Sequence, residues 1–190
     1  EVLRIVQEGK AQGILCYFFF LGGSREGLDF LLELAGAESG CAFLAFMDPT
    51  LVDAETVQTV AARRNLMVCP DAGKDRWREA AERLVENRCL YSLYRRYETP
   101  ADVQEILSGR WVEEILPQTG AFAFCVAGRD CPAALCQEVQ AFVWEARSAQ
   151  RYPLLLSDYY SDLLTVDRII SDSPCFLGIG RDGAINRCVG

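Results

Sequence analysis

Four aspartates in this sequence stand at or just past the ends of apolar stretches and could act together. Each stretch has the length and composition of a buried strand. In parallel α/β sheets the ligand crevice lies outside the carboxyl ends of the strands, so we expect the four acids around one hollow. Converging carboxylates could hold Mg²⁺ or hydrogen-bond the hydroxyls of a sugar, and a neighbouring tyrosine could stack on a ring. The acids are Asp48, Asp71, Asp130 and Asp158, and the tyrosine is Tyr159.

Aspartate at these positions also has a local explanation. Its side chain accepts hydrogen bonds from the first free amides of a helix, and a helix is predicted after each strand. Helix capping therefore accounts for part of the same pattern. The sequence leaves both explanations open for these acids, a shared pocket or separate caps.

A further apolar stretch, residues 13–21, runs into a glycine turn instead of an acid. Gly22 and Gly23 let the chain turn sharply, and Ser24 can cap the helix that follows. Free amides at such a helix start favour anions, and Arg25 could close on a phosphate or a carboxylate. The turn lacks the lysine of a GxxxxGK(S/T) loop, so nucleotide hydrolysis of that kind is not expected. A tight structural turn with a surface arginine explains these residues equally well.

The other chemical signals in the sequence exclude more than they indicate. The chain has no histidine, which removes the commonest general base and metal ligand. Residues 178–183 spell GxGxxG. The residues after them alternate like a strand and not like a helix, so we do not predict a dinucleotide-binding loop here. The nine cysteines contain no CxxC pair and are expected to be reduced thiols, mostly buried as small hydrophobic residues. We assign no metal site and predict no cofactor.

The order of the predicted elements determines the fold class. The first three strand–helix units follow each other at a spacing of about 27 residues, and right-handed crossovers between parallel strands join such units most economically. Residues 91–118 interrupt this spacing and are predicted to be a helical insertion, with a helix starting at Thr99-Pro100. The last two strands are predicted to form an antiparallel hairpin. The predicted strands are 13–21, 41–47, 66–69, 120–127, 152–156, 175–180 and 184–189.

The predicted fold is therefore α/β, a three-layer α/β/α sandwich with a mostly parallel sheet. An antiparallel edge hairpin and the helical insertion at about 91–118 complete it. A partial or distorted βα barrel is the alternative architecture. Residues 1–190 are predicted to be a single α/β domain, and because the first residue is Glu1 we expect the sequence to be part of a longer chain.

Charge and hydropathy restrict the partners. The net charge of −8 at pH 7 argues against a broad nucleic-acid or membrane surface, because phosphate binding needs clustered cations. No apolar run approaches the roughly 20 residues of a membrane span. We predict a cytoplasmic protein without nucleic-acid or membrane partners. The helices of 91–118, with Trp111, offer a surface for a homodimer.

These signals together predict binding of a small molecule. We predict a ligand-sensing domain of a cytosolic regulatory protein, which binds an anionic or hydroxylated metabolite at the strand ends. The alternative is a Mg-dependent enzyme of phosphoryl or glycosyl transfer or hydrolysis that uses the strand-end aspartates. The candidate ligand-binding residues are Gly22, Gly23, Ser24, Arg25, Asp48, Asp71, Asp130, Asp158 and Tyr159.

Overall fold

The computed structural model of this chain describes most of its residues in five stretches. Helices and strands alternate within them, as the sequence predicts. The stretches are residues 1–128, 132–148, 155–157, 176–179 and 185–187.

Three of the described helices begin after residues whose side chains satisfy free backbone amides. The side chains of Ser24, Asp53 and Thr99 each accept a hydrogen bond from an amide three residues on. None of the described helices has both the length and the apolar composition that a membrane span requires. The helices are α1 (Val2–Ala11), α2 (Arg25–Ala37), α3 (Ala54–Ala61), α4 (Trp77–Glu86), α5 (Pro100–Leu107), α6 (Leu116–Thr119) and α7 (Ala133–Ser148), with a 3₁₀ turn at Pro49–Leu51 and a π-helical turn at Trp111–Ile115.

The described strands form two sheets that are parallel except at one edge. The larger sheet has the order β3-β2-β1-β7-β8, and the smaller has the order β4-β5-β6. Two isolated parallel bridges, Val68 to Tyr91 and Asp71 to Tyr94, place the smaller sheet beside β3. Only β8 runs antiparallel, and it pairs with β7. The strands are β1 (Cys16–Gly22), β2 (Ala42–Met47), β3 (Leu66–Pro70), β4 (Leu93–Arg96), β5 (Phe124–Ala127), β6 (Leu155–Ser157), β7 (Phe176–Ile179) and β8 (Ile185–Arg187).

This architecture confirms the predicted α/β class, the mostly parallel sheet and the antiparallel edge hairpin. The helical insertion needs a correction, because its first part forms β4 and not a helix. Leu93 and Tyr94 are buried, but two arginines follow them, so the run is too short and too charged to be recognised as a strand. The assignment of all 190 residues to one domain stays a prediction.

Apolar residues are buried on both faces of the sheet but in different ways. The larger core cluster contains residues from all seven described helices, which pack against strand residues such as Tyr17, Phe19 and Phe43. The smaller cluster lies on the opposite face and is built from strand residues alone, among them Phe46 and Tyr94. Strand side chains alternate between the two faces, which produces this separation. We call the second face the inner face; its one-sided arrangement resembles the alternative predicted above, a partial βα barrel.

One asparagine joins three backbone segments at the amino end of the sheet. The side-chain amide of Asn65 donates to the carbonyl oxygens of Ala35, Glu38 and Cys41, at 3.0, 3.3 and 3.0 Å. These carbonyls lie at the end of α2 and before β2, so Asn65 fixes the α2–β2 turn against the start of β3. No apolar side chain can replace these bonds.

We therefore expect Asn65→Ala to lower the free energy of unfolding by about 1–3 kcal/mol, since it leaves partly buried carbonyls without a donor. The matched control is Asn87→Ala, because Asn87 is exposed and donates to the carbonyl of Arg83 one turn away. Urea unfolding of both variants measures the difference. Equal losses in the two variants would contradict the account.

Candidate functional site

The strand-end loops of β1, β2 and β3 are neighbours along one edge of the sheet. The amide of Asp48 donates to the carbonyl of Gly22 at 2.8 Å, and the amide of Asp71 donates to the carbonyl of Met47 at 2.9 Å. The amide of Ala72 then donates to the carbonyl of Tyr94, at 2.7 Å. These bonds continue the parallel ladder past the strands and carry it to β4. The structure thus brings Gly22, Asp48 and Asp71 to one edge, which we call the carboxyl edge.

Three predicted site residues are not assigned to this edge. Asp130, Asp158 and Tyr159 lie outside the described residues. Their part in a shared pocket stays a prediction.

The β1–α2 turn is open at its two glycines. Gly22 has φ +54°, in the region that favours glycine, and both Gly22 and Gly23 are exposed. A Cβ added to either would meet no atom within 4 Å. The hydroxyl of Ser24 accepts from the amide of Gly27 at 3.1 Å, which begins α2 as predicted. Open space therefore lies beside the backbone of this turn, where a ligand could approach it.

The partly exposed side chain of Arg25 bonds to other residues of the chain. Its guanidinium forms an ion pair with Asp53, donates to the hydroxyl of Thr56 at 2.8 Å and lies 4.0 Å from Asp29. Asp53 also caps α3 through the amide of Thr56. Arg25 consequently ties the start of α2 to the start of α3.

Asp48 makes short local bonds after β2. One carboxylate oxygen accepts from the amide of Thr50 at 2.9 Å and from its hydroxyl at 2.7 Å, which begins the 3₁₀ turn. The residue is half-buried, so its side chain still faces solvent in part. Capping, the local alternative, describes these contacts.

Asp71 is buried at the end of β3, with 3% of its surface exposed. Its carboxylate accepts from the amide of Gly73 at 2.9 Å. Burial raises the pKa of Asp71, and this rise is opposed only in part by the hydrogen bond from the Gly73 amide and by the nearby cations Lys74, Arg96 and Arg95. An acid in this position fixes the loop after β3 and carries a proton more readily than an exposed aspartate.

Aromatic side chains of the inner face reach the carboxyl edge. Phe20 stacks on Phe46, with ring centroids 4.8 Å apart, and Phe46 meets Tyr94 edge to face at 5.2 Å. Burial raises the pKa of Tyr94, and the charge of Asp71 raises it further. Phe20 is half-buried, so part of its ring remains accessible. The sequence analysis missed Phe46 and Tyr94, although the alternation along residues 41–47 could have shown which of their side chains share a face.

Arg95 forms a second network behind this edge. Its guanidinium donates to Glu105 at 2.6 Å and to Asp102 at 3.4 Å, and lies 5.6 Å from the centre of the Trp111 ring. The indole nitrogen of Trp111 donates to Glu105, and its ring stacks on Phe124. The sequence analysis missed Arg95 because its strand was taken for part of an insertion.

No metal-ligand set is assembled within the part of the chain that the structure describes. No group of three or more His, Cys, Asp or Glu residues is placed there to hold an ion. Asp48 and Asp71 instead accept hydrogen bonds from backbone amides. The carboxyl edge as described suits an organic ligand with polar and aromatic parts.

Solved structures of SuiB from Streptococcus suis resemble this chain. SuiB bound to S-adenosylmethionine (SAM) matches 98% of the chain at 15% identity with a TM-score of 0.65, and 52% of SuiB is covered. SuiB bound to the precursor peptide SuiA matches 98% of the chain at 14% identity with a TM-score of 0.64, again over 52% of SuiB. The chain thus spans about half the length of the proteins it matches. No protein-family model and no curated protein matches the sequence.

At these identities the likeness shows the fold alone, which is α/β with a mostly parallel sheet. It also corrects the main functional prediction. The prediction of a ligand-sensing regulatory domain is wrong, because the solved structures that share the fold are of SuiB bound to SAM and to a precursor peptide. The error arose because a parallel sheet without histidine or a catalytic motif carries no sequence signal that separates a sensor from other proteins that bind a small molecule.

Two aspartates of this region should affect the pH dependence of stability in opposite directions. Burial raises the pKa of Asp71, so its contribution is present at low pH and is lost as the pH rises through that pKa. Asparagine resembles the protonated form. The stability of Asp71→Asn relative to the wild type should therefore increase as the pH is raised from about 4 to about 7.

Asp102 provides the comparison, because its pKa is shifted in the opposite direction, downwards. Burial alone would raise the pKa of Asp102, but hydrogen bonds from Thr99 and from the amides of Glu98 and Thr99 together hold it below its usual value. The cost of Asp102→Asn should thus be present at neutral pH and shrink as the pH falls. Urea unfolding at a series of pH values measures both. Parallel pH profiles for Asp71→Asn and the wild type would contradict the assignment.

Proposed function

We propose that this chain is part of an enzyme that binds SAM at the carboxyl edge of β1 to β4. The observation that carries the proposal is the match of nearly the whole chain to SuiB in its SAM-bound form. The open β1–α2 turn at that edge gives the ligand a place to approach the backbone. Ligands of parallel α/β folds bind outside the carboxyl ends of the strands, which is this same edge.

The residues at the edge suit the separate parts of SAM. SAM joins an adenine ring, a ribose with two hydroxyls, a sulfonium cation and an amino acid. The accessible ring of Phe20 can contact the adenine or attract the sulfonium, because aromatic faces attract cations. Gly22 and Gly23 are exposed and carry no side chain, so a carboxylate can approach the backbone there. The carboxylate of Asp48 can accept from a ribose hydroxyl beside its bonds to Thr50.

The remaining predicted residues take different places in this proposal. Ser24 begins α2 and so fixes the glycine turn. Asp71 orders the loop after β3 from its buried position. The guanidinium of Arg25 is directed to α3, so we propose no ligand contact for it. Asp130, Asp158 and Tyr159 remain candidate ligand contacts.

SAM supplies an activated carbon–sulfur bond to the reaction. Radical chemistry on that bond uses a one-electron donor such as an iron–sulfur cluster, which cysteine thiolates hold. The described residues do not fit such a cluster, since none of their Cys, His, Asp and Glu groups is placed to hold a metal. We therefore propose the binding of SAM and assign no electron-transfer step to these residues.

We also propose a cytoplasmic location. Six cysteines lie among the described residues and form no disulfide there, as is usual in a reducing compartment. We do not carry forward the homodimer through the helices of 91–118. Trp111, its expected anchor, is buried in its own chain with 5% of its surface exposed.

Gly23→Val tests the proposal with little risk to the fold. The new side chain meets no protein atom near its Cβ and the backbone needs no positive φ, so it should obstruct only the ligand. We expect the Kd for SAM, measured by isothermal titration calorimetry, to rise by about tenfold or more. The melting temperature without ligand should stay close to that of the wild type.

Gly40→Val is the matched control. Gly40 precedes β2 at the amino end of the sheet, and its added Cβ would lie 3.4 Å from the flexible Lys10 side chain. Its Kd for SAM should equal that of the wild type. Absence of SAM binding by the wild type, or equal binding by both variants, would reject the proposed site.

A further inference from the structure

The guanidinium of Arg95 lies between two parts of the chain that are separate in the sequence. Arg95 is the third residue of β4, and only 14% of its side-chain surface is exposed. Its Nη2 donates to Glu105 at 2.6 Å and to Asp102 at 3.4 Å, and both acids belong to α5. Its Nη1 lies close to Gly73, in the loop between β3 and α4: a Cβ added to Gly73 would lie 2.7 Å from Nη1. The two terminal nitrogens of one side chain therefore serve two different elements.

The partners on the side of α5 are themselves fixed. Asp102 accepts from the amide of Thr99 at 3.0 Å, as part of the capping box that begins α5. Glu105 also accepts from the indole nitrogen of Trp111 at 3.1 Å, and the ring centre of Trp111 lies 5.6 Å from the guanidinium carbon. The position of the guanidinium of Arg95 is thus determined by α5 and the π-helical turn.

The loop on the other side depends on close packing at Gly73. The amide of Gly73 donates to the carboxylate of Asp71 at 2.9 Å, and the amide of Ala72 donates to the carbonyl of Tyr94 at 2.7 Å. Gly73 is not among the glycines with a positive φ, so its conformation is open to other residues. What a side chain at this position would disturb is the close approach of the guanidinium.

We propose that Arg95 is a positioning residue of the carboxyl edge: held by α5, it fixes the turn at Gly73 and with it the carboxylate of Asp71. Arginine suits this role because its planar fork presents two terminal nitrogens, whereas lysine has one ammonium and cannot serve both sides. The same loop borders the proposed SAM site, so loss of Arg95 should also weaken SAM binding. That consequence alone rests on the proposed function.

Hydrogen exchange of the buried amide of Ala72 tests the proposal, because opening of the loop breaks its bond to Tyr94. The reference is the amide of Asp48 in the neighbouring loop, which donates to the carbonyl of Gly22. Global destabilisation speeds both amides together and cancels in the ratio of their rates. In the full chain, Arg95→Met should raise the ratio of Ala72 to Asp48 about tenfold. Arg95→Lys should raise it nearly as much, although it keeps the charge.

Arg96→Met is the matched control. Arg96 is the next residue and forms an ion pair with Glu98 at 2.9 Å. Burial raises the pKa of Asp71, and Arg95 and Arg96 both oppose this rise, so the control loses an equal charge near that acid. Its exchange ratio should stay close to that of the wild type. Gly73→Ala is the second variant, and it should raise the ratio in the wild type but less in Arg95→Met, which has no Nη1 to meet the new methyl group.

An equal rise in Arg96→Met, a wild-type ratio in Arg95→Lys, or an unchanged ratio in Arg95→Met would overturn the proposal. The affinity for SAM is measured in parallel, and Arg95→Met should raise the Kd about threefold. An Arg95→Met variant that binds SAM as tightly as the wild type would overturn the positioning role at the site. A wild type that shows the expected exchange pattern but does not bind SAM would reject the proposed function and leave the role of Arg95 in the loop intact.

Discussion

In the described structure, helices pack on only one face of the parallel strands. The curvature of the sheet and the position of the proposed site follow from this one-sided burial. The strands are apolar on both faces, as strands of parallel sheets usually are, but the inner face is covered by no described helix. Its side chains must therefore bury one another, which requires the strands to curve around them as in a barrel. The contact of Phe46 on β2 with Tyr94 on β4 passes over the intervening β3, as such curvature requires.

Curvature of this kind also supports the proposed site at the carboxyl edge. The core cluster of the inner face consists of Phe, Leu, Met, Cys and Tyr. Polar groups therefore lie mainly in the loops beyond the strands and at the charged end of β4, and backbone bonds from Asp48 to Gly22 and from Asp71 to Met47 hold the loops in register. An organic cation such as SAM can then meet aromatic rings below and polar groups at the rim.

Much of the fold could be predicted because the first three strands are long apolar runs followed by glycine or aspartate. β4 could not be predicted, because the run from Leu93 to Arg96 is only four residues long and two of them are charged. The site was harder for a different reason. Arg25 looked available for an anion, but its partner Asp53 is 28 residues away, and no local pattern reveals such a pair. Whether an acid such as Asp71 is buried or exposed likewise depends on the loop that folds over it.

The central claim is that the loops at the carboxyl edge surround one binding site for SAM. Amide chemical-shift mapping of the isotope-labelled chain during titration with SAM tests it most directly. The account predicts the largest shifts at Gly22, Gly23 and Asp48, with little change at the amino-end turn that contains Gly40. Shifts centred on that opposite turn, or a spectrum unchanged by SAM, would contradict it.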